Sequence, residues 1–333
     1  MKVAIIGATG AVGREMIAEL ESCAVPDISV GLFASQRSAG EMILFRGKLN
    51  EVKAFDLNLI RGFDVCLMSA GGAFSRQNTK LIADLGITVI DNSSAWRLVD
   101  GVLLVVPEVN GQLLKGLPKG SIIANPNCST IQMVVALKPL YDAFGFEQIH
   151  VATYQSVSGT GQKGIRELAS QVEAALKFNE PSPQVYAQAI AFNVLPAIDV
   201  LDDAGHCFEE EKMVRETRKI LGRPDIEILA TTVRVPVYHC HCEAISVRLL
   251  KPVSRRDLID AMSGFPGLTV HADDDHAVFP TPRSVCGDRG VHVSRMRTPI
   301  DQGVSRWAQF WVVADNLKKG AATNAVQIME LIS

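Results

Sequence analysis

Apolar residues fall into short uninterrupted runs, broken by glycine or polar turns, and these runs alternate with stretches of helical period. The first run, residues 3–6, has no polar member, which predicts a strand buried on both faces. It ends in Gly7, Gly10 and Gly13, and a helix is expected over 14–22. A second strand is expected over 28–33, and runs at 65–69 and 88–90 repeat the arrangement, with a helix over 75–85 between them. Strands alternating with helices of this length predict a parallel sheet covered on both faces. A further buried strand ends at Ala124, a polar turn follows over 125–130, and an amphipathic helix is expected from near Ser129 to Leu140.

Beyond residue 130 the runs lengthen, at 150–156, 228–235, 242–249 and 307–314, with irregular loops between them. This pattern predicts a second, α+β domain with an antiparallel or mixed sheet that leaves one face exposed. The tail, 316–332, reads as a helix with Ala321, Ala325 and Ile328 on one face. No repeat or long linker separates the halves, so the boundary near Cys128 is expected to act as a hinge. The fold class is therefore α/β. The boundary divides a first domain over 1–127, with a terminal helix over about 315–333, from a second over 128–314.

Composition narrows the functions available. A chain of 333 residues has room for about two domains. With 33 basic and 36 acidic side chains the net charge is -3, which offers no global attraction to nucleic acid or to an anionic membrane. Any anion site must be local. No run approaches the roughly 20 apolar residues of a membrane span, and Met1 leads straight into the first strand, so a cytoplasmic protein is expected. Seven cysteines, scattered through apolar segments, suit reduced thiols better than a disulfide framework.

Two stretches offer chemistry. The glycine turn from Gly7 through Thr9, Gly10, Ala11 and Val12 to Gly13 joins the first strand to the first helix. There Gly7 and Gly10 allow close backbone approach to a pyrophosphate, and Gly13 allows helix and strand to pack closely. After the second strand, Arg37 between Ser35 and Ser38 suits a ribose 2′-phosphate better than a 2′-hydroxyl, which points to NADP. Gly72 and Asn92 follow later strands and are expected on the same sheet edge. Cys128 sits where a helix begins, and unpaired N–H groups there favour a thiolate. Alone, such a cysteine reads more readily as a small buried core residue; its place after a strand of this sheet points to catalysis.

Several motifs in order, GATGAVG at 7–13, SQRSAG at 35–40, DNSSAWR at 91–97, NPNCST at 125–130, YQSVSGTG at 154–161, RVPV before His241, and ADNLKKGAATNAVQ at 314–327, resemble the aspartate-semialdehyde dehydrogenase family over almost the whole chain. The resemblance implies a Rossmann-like first domain. It implies NADPH-dependent reduction of L-aspartyl 4-phosphate to L-aspartate 4-semialdehyde, with inorganic phosphate released, on the route to lysine, threonine, methionine and diaminopimelate. It makes Cys128 the nucleophile that forms a thioester, His241 the acid/base and Gln155 the residue that orients the acyl group. Arg97 and Lys212 match the phosphate-binding pair, Arg234 the grip on the substrate carboxylate, and Glu209 the ligand of its amino group. Ser158 and Gly159 match a loop at the nicotinamide, and Asn316 a cofactor contact from the C-terminal segment. The implied partners are a small-molecule substrate and a second copy of the chain, as a homodimer or homotetramer.

The chain departs from the family pattern at Tyr238-His239-Cys240-His241-Cys242, where smaller residues usually precede the histidine. Four such side chains invite a metal. In a strand, however, neighbours point to opposite faces, so no metal site is expected there. Two other readings stay open: an N-acetyl-glutamyl-phosphate reductase, built on the same thioester logic, and a nucleotide-binding relative without catalysis. Glu209 favours a substrate with a free amino group, and retention of Cys128, Gln155, Arg234 and His241 favours an enzyme.

Overall fold

The computed structural model describes residues 1–273 and 275–333 as two compact units, Met1–Asn127 with Ala321–Ser333, and Cys128–Gly320. The first is built on an eight-stranded sheet: β1 (Lys2–Ile6), β2 (Ser29–Ala34), β3 (Met42–Phe45), β4 (Lys48–Ala54), β5 (Val65–Met68), β6 (Thr88–Asp91), β7 (Leu103–Leu104) and β8 (Ile122–Ala124). The order β3-β4-β2-β1-β5-β6-β8-β7 is parallel throughout except for β3, which pairs antiparallel with β4. Central β1 is buried from Val3 to Ile6, as an uninterrupted apolar run in a doubly covered sheet must be.

Helix α1 (Ala11–Glu21) starts three residues earlier than periodicity suggests, so Gly13 lies inside its first turn. The reason is steric: a Cβ on Gly13 would stand 2.1 Å from the Gly7 carbonyl oxygen, and only glycine permits that approach. Helix α2 (Gly72–Ala83) follows β5, and the one-turn α3 (Pro107–Asn110) follows β7. The C-terminal helix, Thr323–Leu331, is shorter than expected, because a π-turn over Lys318–Ala322 precedes it. Its Ala325, Val326, Ile328 and Met329 are buried in a core shared with Met16, Ile17 and Leu20 of α1. Each large side chain buried there contributes about 1.5–3 kcal/mol.

The second unit holds α4 (Cys128–Phe144), β9 (Phe146–Gln155), α5 (Gln162–Leu176), α6 (Phe208–Leu221), β10 (Glu227–Arg234), β11 (His241–Ser254), α7 (Arg255–Met262), β12 (Leu268–Val270), α8 (Pro282–Val285), β13 (Val291–Arg297) and β14 (Val304–Ala314). Its sheet, ordered β10-β9-β11-β14-β13-β12, is mixed: β10 with β9 and β12 with β13 are parallel, and the rest antiparallel. Helix α4 is not amphipathic as periodicity implied. Eleven of its residues between Ser129 and Leu140 are buried, because α6, α7 and the sheet surround it. The opposite face carries half-buried Trp307 and Trp311 and exposed Tyr154. Among the described residues, no helix is long and apolar enough to cross a membrane.

Candidate active site

In the first unit, the loops after β1, β2 and β5 line one cavity of about 520 Å³. Gly7, Thr9, Gly10 and Ser35 lie in its wall, joined by Gln36, Ser69, Ala70, Phe55 and Phe74. The rings of Phe55 and Phe74 meet edge to face at 4.9 Å. Neither aromatic was singled out from sequence, because Phe55 directly follows a strand whose own apolar pattern is weak. Gly7 has φ +88, and a Cβ there would stand 2.2 Å from the Ser69 carbonyl oxygen, so backbone walls the cavity closely. The N-cap of α1 is Gly10, with no side-chain hydrogen bond covering the helix end. An 11-residue helix opening onto such a cradle fits a dinucleotide pyrophosphate. Arg37 is exposed on the short turn Gln36–Ser38; it, Ser38, Gly72 and Asn92 lie outside the cavity wall, Gly72 as the first residue of α2. Ala11, Val12 and Gly13 form the first turn of α1.

The turn before Cys128 is anchored by a buried polar knot in the same unit. Asn125 Nδ2 donates to Asn92 Oδ1 at 2.6 Å and to the Ala321 carbonyl at 3.2 Å, while its Oδ1 accepts from Asn324 Nδ2 at 2.7 Å. Arg97 is buried beside it, donating from Nε to the Asn125 carbonyl and from Nη2 to the Asn92 carbonyl, both at 2.9 Å. Asp91 is buried and accepts from Ser75, from Thr79 at 3.0 Å and from the Ser93 N–H at 2.7 Å. Asn324 went unnoticed in the sequence because it joins residues some 200 positions apart.

In the second unit Cys128 is the first residue of α4, partly exposed. One turn on, Gln132 Nε2 donates to the His241 carbonyl at 3.3 Å, which ties this end of α4 to the start of β11. Gly320 packs behind the nucleophile candidate: a Cβ there would stand 2.9 Å from Cys128 Cβ. A glycine within an otherwise helical run was the available signal for that close approach.

Gln155 closes β9 and Arg234 closes the parallel strand β10, in register with each other, so both side chains leave the sheet at one end. Both are buried. Arg234 Nη1 donates to the Ser156 carbonyl at 2.7 Å, fixing the guanidinium plane. Gln155 Nε2 donates to Glu209 Oε1 at 3.1 Å, and the other Glu209 oxygen accepts from Lys212 Nζ at 3.1 Å. These two charges share one face of α6, three residues apart, and Lys212 also reaches Asp199 at 2.7 Å. Burial works to lower the Lys212 pKa, but the Glu209 charge and the Asp199 hydrogen bond outweigh it and raise the group above its ordinary value.

His241 is fully buried, and its Nδ1 accepts from the Ser156 N–H at 3.0 Å and contacts Ser156 Oγ at 3.1 Å. Burial, and after it the Arg234 charge, push the imidazole down to about 3, so the ring is neutral near pH 7. A backbone N–H can only donate, so Nδ1 holds a lone pair and the ring proton sits on Nε2. Nε2 is buried without a partner among the described residues. Asn316 supports the same loop, accepting from Ser156 Oγ and Ser158 Oγ at 3.1 Å each and from the Cys240 N–H at 3.0 Å.

Gly159 closes the group. A Cβ on it would come within 2.9 Å of Arg234 Nη1 and 3.2 Å of the His241 ring. The guanidinium tip can yield, so Gly159→Ala is expected to fold with an unchanged melting temperature. A displaced fork and ring should still cost about 10²-fold in kcat/KM; steady-state kinetics beside a thermal melt check both halves.

Comparison with known proteins follows the same division. The family described as semialdehyde dehydrogenase, NAD binding domain, matches residues 2–117, and semialdehyde dehydrogenase, dimerisation domain, matches 137–319. The chain is 46% identical to aspartate-semialdehyde dehydrogenase of Aquifex aeolicus over 333 residues, covering 99% of this chain and 97% of that one. It is 45% identical to the same-named protein of Legionella pneumophila, covering 100% and 95%. Among solved structures, aspartate semialdehyde dehydrogenase II of Vibrio cholerae complexed with ASA superposes with a TM-score of 0.93 at 43% identity, covering 99% and 97%. The Candida albicans enzyme with NADP gives 0.74 at 25% identity, covering 99% and 98%.

Proposed function

Because the chain belongs to the aspartate-semialdehyde dehydrogenase family, we propose that it reduces L-aspartyl 4-phosphate to L-aspartate 4-semialdehyde with NADPH, releasing phosphate. This is an oxidoreductase step in biosynthesis of the aspartate-derived amino acids. The observation that carries the assignment is the helix-opening thiol of Cys128 in one unit with buried Gln155, Glu209, Arg234 and His241.

Cys128 Sγ attacks the acyl carbon, the phosphate leaves, and a thioester joins substrate to enzyme. The N-terminus of α4 favours the thiolate that this needs. The dinucleotide, when bound, supplies the hydride that reduces the thioester. The neutral His241 ring stabilises the oxygen that becomes anionic by a hydrogen bond from its Nε2 N–H and keeps that proton throughout; as the alkoxide collapses to the aldehyde, the carbon–sulfur bond breaks and thiolate departs. Arg234 holds the substrate carboxylate with two parallel N–H groups, and Glu209 receives the α-ammonium. Gln155 orients the acyl group, while Lys212 and Arg97 serve the phosphate.

The test is NADP reduction by aspartate semialdehyde in the presence of phosphate or arsenate. Activity must depend on the anion and must be absent with N-acetyl-glutamate semialdehyde; the reverse preference rejects the substrate assignment. Arg37→Ala is expected to raise KM for NADP about 10–100-fold, the worth of one charge-assisted hydrogen bond, and to change KM for NAD less than threefold. Equal losses would remove Arg37 from the 2′-phosphate site.

The same proposal includes a homodimer formed through the sheet face opposite α4, which carries Tyr154, Trp307 and Trp311. The dimerisation-domain match supports it, and light scattering separates dimer from tetramer. A place in the cytoplasm rests on the biosynthetic role of the family.

A further inference from the structure

Strand geometry argued against metal binding by His239-Cys240-His241-Cys242, because alternate side chains would face apart. The backbone departs from that geometry. Cys240 precedes β11 and holds φ at +69, a left-handed conformation that a residue with a Cβ rarely adopts. Its N–H is pinned by Asn316 Oδ1 at 3.0 Å, and its thiol lies against Val285 and Val313. There it meets donors from two distant segments.

The sulfurs of Cys240 and Cys286 and one carboxylate oxygen of Asp315 all lie within 4.8 Å of one another. A tetrahedral ion with zinc–sulfur bonds of about 2.3 Å keeps its sulfurs about 3.8 Å apart, inside that spread. Asp315 is buried and aimed by backbone: the Gly287 N–H donates to Oδ2 at 2.9 Å, and the Leu317 N–H to Oδ1 at 2.9 Å. Hydrogen bonds of this kind orient ligating carboxylates. Cys286 follows α8 and is exposed, so an ion can arrive from solvent, while Cys240 and Asp315 supply the buried wall.

We propose that Cys240, Cys286 and Asp315 form a binding site for a thiophilic divalent cation, for which zinc is the best fit. Two sulfur donors favour zinc over magnesium or calcium. Binding releases one proton from each thiol, and the ion offsets the negative charge that two thiolates and a carboxylate bring together. A bound ion links the residue before His241 to the end of β14, beside Asn316. It is therefore a staple on the segment that carries the imidazole.

Cobalt(II) titrated into the reduced full-length protein is the test. Thiolate-to-cobalt charge-transfer absorption is expected to saturate at one equivalent per chain and to be bleached by one equivalent of zinc. Cys128→Ser should keep the band in full, while Cys286→Ser and Cys240→Gly should lose it. Glycine accepts the positive φ at position 240, so an unchanged melting temperature in that variant separates lost ligation from lost folding. A band that survives both substitutions, a band that vanishes with Cys128, or no thiolate band at all overturns the site.

Discussion

Cys128→Ser is expected to reduce turnover by about 10⁴-fold or more while leaving NADP affinity within a factor of two. The size follows from what the step requires. A serine hydroxyl in place of the thiol keeps nearly the same volume at the first residue of α4, so the helix and the packing against Gly320 should persist. What is lost is a thiolate that the helix N-terminus favours, together with an acyl–sulfur bond that is electrophilic enough to accept hydride. Removing the nucleophile of a covalent mechanism costs factors of this order in enzymes that use one. The cavity that fits the dinucleotide is formed by residues of the first unit, so cofactor binding has no reason to change. Two measurements decide the matter. Incubation of the unaltered protein with aspartate semialdehyde, NADP and no phosphate should leave a mass adduct on the peptide containing Cys128, and the serine variant should leave none. An adduct elsewhere, or turnover reduced less than tenfold, would remove covalent catalysis by this residue.

Legibility of the molecule in its sequence follows the range of the interactions concerned. The strand 3–6, the glycine turn and the helix after it are local, and each residue's neighbours in sequence are also its neighbours in space. The helix opening at Cys128 was equally readable, because a buried strand and a polar turn precede it within six residues. The hairpin of β3 and β4 was not. Its strands are short, and exposed Met42, Leu44 and Leu49 blur the alternation that would reveal them. At Tyr238–Cys242 strand geometry was the expectation, but the positive φ of Cys240 breaks it, and that turn brings Cys240 to Cys286 and Asp315. The support around the site was the least legible part. Gly159 against Arg234, Gly320 against Cys128 and Asn324 against Asn125 are contacts between residues far apart in sequence, and no spacing rule anticipates them.

His241→Asn is expected to lower kcat by about 10²–10³-fold, the usual contribution of one oxyanion donor, with KM changed less than threefold. The amide oxygen can still accept the Ser156 N–H, so the loop that bears Ser156, Ser158 and Gly159 keeps its anchor. With its oxygen held on that N–H, the shorter amide cannot bring a donor to the place of Nε2, which is the capacity removed. The hydrogen bond to Nδ1 sharpens the expectation further. Because Ser156 donates there, the neutral ring presents a proton at Nε2, and taking the thiol proton at that atom would first require the ring to change tautomer and break this bond. Thiolate formation is then governed chiefly by the N-terminus of α4, and alkylation of Cys128 by iodoacetamide should proceed within threefold of the unaltered rate in the variant. A drop of tenfold or more in that rate would transfer thiol activation to the imidazole. An unchanged kcat would deny His241 any part in stabilising the oxyanion.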